Sequence, residues 1–284
     1  MPISTRVYND QAMSTLNRIT GDIQDIQSRI ATGRNILKAS DSPAVGAKIS
    51  FTKDQKVLLE RYNTNIDRSL NRMAQAESAI ATSVNVLQRI YELSVQARND
   101  TNNAGDRSAI AMEVRNLRDQ MLSLANSRDT NGRYIFAGYK VDLKPFVQTE
   151  DGKVEHKGDR GVHTLQISDN QKIATSLDGA DVFMRVPQGE GVDNIFSSLD
   201  EMIASLEDGR MEDANLEKIN GALDHFTLQQ TKLGSQMNRA DLQRQVNEKR
   251  LLLINEDISN LEDADIAKLV TELQAKLVSR NAAQ

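Results

Sequence analysis

The chain has 284 residues, 26% of them charged, a net charge of −5 and no cysteine. The negative charge argues against bulk electrostatic attraction to nucleic acid or an anionic membrane. Within this chain, the lack of cysteine excludes disulfides, thiol nucleophiles and cysteine-based metal sites, and no apolar run reaches the roughly 18 residues of a membrane span.

The first tract is predicted to be a narrow amphipathic helix. Its apolar residues follow alternating steps of four and three, the spacing of a heptad seam: Ala12, Leu16, Ile19, Ile23, Ile26 and Ile30. Gly33 and the Ser40–Pro43 cluster are predicted to break the helix. Ser42 is then a candidate N-cap, and Pro43 suits the first position of the next helix.

Two further helices are predicted in the N-terminal half. The second helix runs from about Pro43 to Arg98, and its apolar surface is wide enough to contact more than one partner. The third runs from about Arg107 to Ser127, with Asp106 as its candidate N-cap.

The period changes between Tyr134 and Val186, where short extended runs alternate with turn signals. The predicted strands are YIFAGYK, GKVEH, VHTLQIS, KIATSL and ADVFMRV. Aromatic residues are scarce in this chain, yet four of them lie close together at the start of this region. These four are predicted to form a hydrophobic clasp where the helical body meets the β insert: Tyr134, Phe136, Tyr139 and Phe146.

Helices are predicted again from about Val192 to Glu207 and from about Asp213 onward. The long second helix keeps a 3-4 apolar spacing as far as Leu261. The spacing slips at LEDADIA, which predicts a joint before a terminal helix. Because the order of elements is nearly mirrored, we expect the two terminal helices to pair. The predicted fold is mainly α with a small β insert: an elongated bundle formed by the N- and C-terminal segments, with a central β-rich outer domain.

Each terminal helix carries one narrow apolar stripe, and short helices of this kind are marginal in water alone. One interpretation is an intramolecular helical core. We favour the other, an assembly seam between molecules, because the chain offers little else to cover the stripes. The predicted seam residues are Leu16, Ile19, Ile23, Ile26, Ile30, Ile266, Val270, Leu273 and Leu277.

The predicted domains are three. Residues 1–40 and 262–284 form the terminal assembly segment. Residues 41–135 and 190–261 form the helical core domain, and residues 136–189 form the β-rich outer domain.

No motif predicts catalysis, a cofactor or a metal. His156 and His163 lack further ligands at a recognisable spacing. Asp263 and Asp265 are interpreted as a polar joint, because no pocket or cofactor motif accompanies them. The sequence also has no phosphate-binding loop. The chain is therefore not expected to be an enzyme.

Several segments resemble the flagellin superfamily over nearly the whole chain. Residues 75–102 and 106–126 resemble the N-terminal core helices, and KLGSQMNRAD and ISNLEDADIAKLVTELQ resemble the C-terminal core. The segment DTNGRYIFAGYKVDLKPF, followed by GKVEHKGD, resembles the hook-associated branch found at hook–filament junctions. The resemblance implies a flagellin-like bundle.

The resemblance also implies a function: a structural adaptor that links a hook-side hook-associated protein to the flagellin filament. The implied partners are copies of the chain in a junction layer, hook-associated protein 1, flagellin and a flagellar export chaperone. The implied location is the bacterial flagellum, reached through the flagellar channel without a cleaved signal peptide. Since the family's terminal helix normally runs further, the C-terminus is expected to be truncated. The alternatives are a short flagellin that forms the filament itself and, from another class, a coiled-coil signalling adaptor.

Overall fold

The computed structural model describes residues 3–38, 40–99, 102–188, 191–209 and 212–283. Its helices are α1 (Ile3–Thr32), α2 (Pro43–Ala97), α3 (Ala104–Ala125), α4 (Gly179–Phe183), α5 (Ile195–Glu207), α6 (Asp213–Glu262) and α7 (Ile266–Ala283). Its strands are β1 (Phe146–Gln148), β2 (Val154–His156), β3 (Thr164–Ser168), β4 (Gln171–Ala174), β5 (Val186–Gln188) and β6 (Gly191–Asp193). The predicted fold class, mainly α with a small β insert, is confirmed.

The chain divides into two compact units, and the boundaries between them fall within α2 and α6. Unit 1 takes its residues from 1–61 and 247–284, and unit 2 from 62–246. The boundaries predicted near residues 40 and 262 therefore lie inside unit 1. The three-part division stays a prediction.

Unit 2 contains an extensive core, in which small and large residues alternate along α2. Ile66, Met73, Ile80 and Leu87 are buried. Between them lie buried serines such as Ser83, whose Oγ donates a hydrogen bond to Ala79 O at 2.8 Å. Because such a hydroxyl is satisfied within its own helix, it can be buried while other elements approach closely.

Five phenylalanines from separate elements meet in this core and are fully buried: Phe136, Phe146, Phe183, Phe196 and Phe226. Phe183 is the centre of the group. Its ring centroid lies 5.2 Å from those of Phe136 and Phe146, and 5.4 Å from that of Phe226. These edge-to-face contacts join the β insert to the helices of unit 2.

The strands form three separate two-stranded antiparallel sheets, β1-β2, β3-β4 and β5-β6. Two of the predicted strands, GKVEH and VHTLQIS, contain β2 and β3, and a third, KIATSL, overlaps β4 except for Gln171. The other two predictions are wrong in part. YIFAGYK is not a strand, because Gly138 adopts φ +70 and Asp159 Oδ1 accepts a hydrogen bond from Tyr139 N at 2.8 Å. ADVFMRV begins as α4, whose first turn is capped by Asp178.

The start of α3 also differs from the prediction. The helix begins at Ala104, and its N-cap is Asn103. Asp106 is the third helical residue and completes a capping box, since its carboxylate accepts from Asn103 N and Asn103 Oδ1 accepts from Asp106 N, both at 3.0 Å. The sequence therefore correctly indicated a capped helix start here, but the predicted N-cap, Asp106, is wrong and the N-cap is Asn103.

A buried arginine ties α3 to its neighbours in unit 2. The Arg118 side chain is 4% exposed. Its guanidinium donates to both carboxylate oxygens of Asp200 on α5, at 2.7 and 3.1 Å, and to Gly152 O in the β1-β2 turn at 2.9 Å. A buried cation with this set of acceptors is well compensated.

We expect Arg118→Met to destabilise unit 2 by about 2–3 kcal/mol, because the substitution removes the charge-assisted bonds to Asp200 and the bond to Gly152 O. Urea unfolding followed by circular dichroism would measure this. The matched control is Arg115→Met: Arg115 pairs with Glu207 at the surface, where each side chain is about half exposed, so its loss should cost about 0.5 kcal/mol. Equal shifts in the two variants would contradict the prediction.

His225 supplies a test of pH dependence. It is buried, and its Nε2 lies 3.0 Å from Asp181 O and 3.2 Å from Val182 O. Burial lowers the pKa of His225 below its ordinary value, so the unfolded chain binds this proton more readily than the folded one. The free energy of unfolding should therefore fall as the pH drops below about 6.5.

Thermal melts between pH 7.5 and 5.5 would show this slope, and His225→Gln should reduce it. The slope should not vanish, because burial also lowers the pKa of His163. An unchanged slope in the His225→Gln variant would show that this residue does not contribute.

Candidate assembly surface

The two joints of the sequence are bonded to each other in unit 1. Asn35 N donates to Glu262 O at 2.7 Å, and Ala264 N donates to Gly33 O at 2.9 Å. These bonds flank an antiparallel bridge between Arg34 and Asp263. The residues just after α1 are therefore fixed to the residues just before α7.

Side chains complete this joint. Asp265 Oδ1 accepts from Lys268 N at 3.0 Å in the first turn of α7. Asp41 Oδ2 accepts from the backbone N–H groups of Leu37 and Lys38, chiefly the latter, and these bonds hold the pKa of Asp41 below its ordinary value. The interpretation of this region as a polar joint is consistent with these contacts.

Helices α1 and α7 pack against each other. Ile23 and Ile26 on α1 and Leu269 on α7 are buried. Lys276 Nζ lies 2.8 Å from Asp22 Oδ2 beside this contact, and the hydrogen bond lowers the pKa of Asp22. The expected pairing of the terminal helices is thus present within one chain.

The structure separates the predicted seam residues into three groups. Ile23 and Ile26 are covered within the chain, so they do not depend on another molecule for burial. Five others are half-buried: Leu16, Ile19, Ile30, Leu273 and Leu277. Ile266 and Val270 remain exposed, at 42% and 38%. Their role in assembly stays a prediction.

The buried member of α7 was missed by the sequence reasoning. Leu269, Leu273 and Leu277 lie along the face of α7 that is turned inward, whereas Ile266 and Val270 are at its edge. Both sets of residues recur every four positions, so the apolar periodicity of the sequence does not show which set is buried.

Unit 1 buries few apolar residues and exposes many. Of the 44 buried apolar residues in the described part of the chain, five lie in unit 1: Ile23, Ile26, Ile49, Leu59 and Leu269. Ten of the 18 large apolar residues exposed there also lie in unit 1, although it is about one third of the chain. We call these ten the unit 1 apolar surface: Val7, Tyr8, Met13, Phe51, Val57, Leu252, Leu253, Ile266, Val270 and Val278.

Part of this surface forms a shallow cleft between α2 and α6 within unit 1. The cleft has a volume of about 370 Å³, and Phe51, Leu253 and Ile254 line it. Phe51 is 64% exposed and Leu253 is 62% exposed. Concentrated apolar exposure of this kind is typical of interaction surfaces.

The predicted clasp residues do not form one cluster. Phe136 and Phe146 are buried around Phe183, but the ring of Tyr134 lies under the Arg128 guanidinium, 4.4 Å from its centroid. Tyr139 is 59% exposed and packs edge-on against His163. Tyr139 is not part of a hydrophobic clasp, because the turn at Gly138 directs it away from the phenylalanines.

The described residues contain no group of three or more His, Cys, Asp or Glu side chains placed to hold a metal ion. None of the described helices has the length and apolar character needed to cross a bilayer.

Part of the chain is similar to a family of bacterial flagellins. Residues 3–141 match the family described as the bacterial flagellin N-terminal helical region. The predicted resemblance is confirmed.

The chain is similar to particular members of this group. It is 28% identical to flagellar hook-associated protein 3 of Salmonella typhimurium, over 93% of this chain and 89% of that protein. It is 25% identical to the flagellin of Bacillus subtilis, over 98% of this chain and 93% of that protein. The crystal structure of the flagellar junction protein FlgL from Legionella pneumophila shares its fold, with a TM-score of 0.66 at 18% identity, over 76% of this chain and 99% of the other.

The distribution of burial predicts where the free monomer is cleaved first. Because unit 1 has few buried apolar residues, it should open locally at a lower free-energy cost than unit 2. Limited proteolysis followed by mass spectrometry should therefore give early cuts within 1–61 and 247–284, and a resistant fragment close to residues 62–246. Early cuts in the exposed turns at residues 130–133 or 149–152, with unit 1 intact, would contradict this expectation.

Proposed function

We propose that this chain is a structural adaptor of the bacterial flagellum at the hook–filament junction. The similarity to hook-associated protein 3, which extends over nearly the whole of both chains, carries this proposal. The unit 1 apolar surface supports it, since a subunit of an axial structure must leave apolar area to be covered by its neighbours. The adaptor acts through contacts, without bond chemistry.

The proposed partners follow from this role. Copies of the chain form the junction layer, with hook-associated protein 1 on the hook side and flagellin on the filament side. A flagellar export chaperone covers the apolar segments before export through the flagellar channel, without a cleaved signal peptide. The unit 1 apolar surface supports contact with the chaperone before export and with neighbouring subunits afterwards, because its apolar side chains need cover at both stages.

A second candidate is a short flagellin that forms the filament itself. The match to Bacillus subtilis flagellin favours it, since it extends over 98% of this chain. Gene deletion distinguishes the two functions. Loss of an adaptor should leave hooks that release flagellin monomers into the medium, whereas loss of the filament protein should leave no released flagellin.

The proposal predicts the effect of charge on the exposed edge of α7. Ile266→Asp with Val270→Asp should leave the monomer folded, because both side chains are already exposed. The same change should prevent filament attachment, since two carboxylates would be desolvated in the contact. Motility and released flagellin would be measured in the deletion strain complemented with the variant.

The matched control is Leu143→Asp, which changes a side chain that is 56% exposed in unit 2. It should support filament attachment. Thermal unfolding of each purified variant separates loss of assembly from loss of folding, which is why the buried Ile23 is a poorer site for this test. Normal filaments on the doubly substituted protein would remove the proposed role of this edge.

A further inference from the structure

A cleft in unit 2 is lined by basic side chains that lie outside the hydrophobic core. Its volume is about 430 Å³, and it lies between α2, the 129–133 turn and the β3-β4 hairpin. Arg68, Arg72 and Gln75 face it from α2, at helical positions that share one side. Arg133 and His163 face it from the other elements. We call it the arginine cleft.

The positive charge of the cleft is only partly offset within unit 2, where Asp129 interacts electrostatically with Arg72. In the described part of the chain, none of the three arginines has a carboxylate within ion-pair distance. Asp129 also lines the cleft, but its Oδ1 accepts from the backbone N–H groups of Asn131 and Arg133, at 2.8 and 3.0 Å. Burial lowers the pKa of Arg72. The cleft therefore favours a ligand that carries negative charge.

Three polar atoms in the cleft wall are buried and lack a hydrogen-bond partner among the described residues: Arg72 Nε, Gln75 Oε1 and His163 Nε2. The His163 ring cannot turn freely, because Tyr139 packs against it with ring centroids 4.7 Å apart. Arg72 Nε requires an acceptor and Gln75 Oε1 requires a donor. A bare oxyanion supplies only acceptors, whereas an acidic peptide supplies carboxylates together with backbone N–H groups.

The chain itself exposes a segment with this chemistry. Glu150 and Asp151 lie side by side at the tip of the β1-β2 hairpin, and both are exposed. Among the described residues neither backbone N–H has an acceptor, because the turn is closed by Thr149 N to Lys153 O and by Gly152 N to Thr149 O. Arg118 fixes the same turn through Gly152 O. The tip is thus an ordered turn with two carboxylates and two free donors.

We propose that the arginine cleft of one molecule binds the acidic hairpin tip of a second copy. The carboxylates of Glu150 and Asp151 pair with the arginines, and a tip N–H donates to Gln75. The inference rests on the proposed function, because a junction layer places copies next to one another. Acidic pairs on helices fit less well, since their backbone N–H groups are already bonded within the helix.

Site-specific cross-linking tests the contact, and the absence of cysteine removes any background. Asn131→Cys places one thiol at the cleft, and Lys153→Cys in a size-tagged copy places the other beside an intact acidic tip. On mild oxidation of the mixed full-length proteins, the heterodimer should form about tenfold faster than with Asn238→Cys in place of Asn131→Cys, the ratio expected for one charge-assisted contact. Each molecule carries one cysteine, so every cross-link joins two molecules.

Charge reversal identifies the groups responsible. Arg68→Glu with Arg133→Glu, or Glu150→Arg with Asp151→Arg, should each remove the excess heterodimer, and the two reversed molecules mixed together should restore it. The control Lys232→Glu with Arg239→Glu changes the net charge by the same amount as the arginine reversal. These two exposed residues do not line the cleft, so the control should have no effect on cross-linking. Cross-linking that ignores the charge reversals would overturn the proposal.

One further outcome would also overturn it: binding of an acidic peptide in the cleft without any self-contact. The cysteine variants are also tested for motility in the deletion strain. Motile cells without the cross-link would disprove this contact and leave the proposed function unaffected. Failure of the unmodified chain to restore filaments would sink the proposed function.

Discussion

Apolar surface left in water costs about 25 cal/mol per Å², and the fold distributes this cost unevenly. Unit 2 covers its apolar residues around the phenylalanine group and the helices that surround it. Among the described residues, unit 1 has the pairing of α1 with α7 and two buried apolar residues of α2, and large side chains such as Phe51 and Leu253 stay exposed. This uneven cover is the constraint on which the proposed assembly role depends.

The joint in unit 1 explains how both chain ends contribute to one surface. The bonds from Asn35 to Glu262 and from Ala264 to Gly33 join segments that are more than 200 residues apart in sequence. They hold α1 and α7 in a position to cover Ile23, Ile26 and Leu269. What remains outside is therefore a defined edge with Ile266 and Val270, and not a pair of unordered tails.

Local signals were sufficient to predict much of this fold. Pro43 at the start of α2 and the slip at LEDADIA were readable because single residues or a broken period determine them. The helical position of Phe183 could not be predicted in this way, because ADVFMRV has a strand-like composition. Its first residues become helical through the Asp178 cap and the packing of the surrounding rings. The inward face of α7 could not be predicted from the sequence either. Packing against α1 buries Leu269 and leaves Ile266 and Val270 exposed, and the apolar spacing alone does not distinguish these residues. The arginine cleft gave no signal, as its residues come from three distant segments.

Apolar and charged surfaces make different contributions to an assembly. Apolar contact is non-directional and gains strength in salts such as sulfate, so a contact made by unit 1 would not by itself specify the register of subunits. A charged contact in unit 2 is directional and is weakened by salt. If the arginine cleft sets the register while unit 1 supplies most of the affinity, rising ionic strength should loosen the order of neighbouring subunits before it separates them. A junction between two lattices benefits from this division, because the bonds that fix register can yield while the layer stays closed.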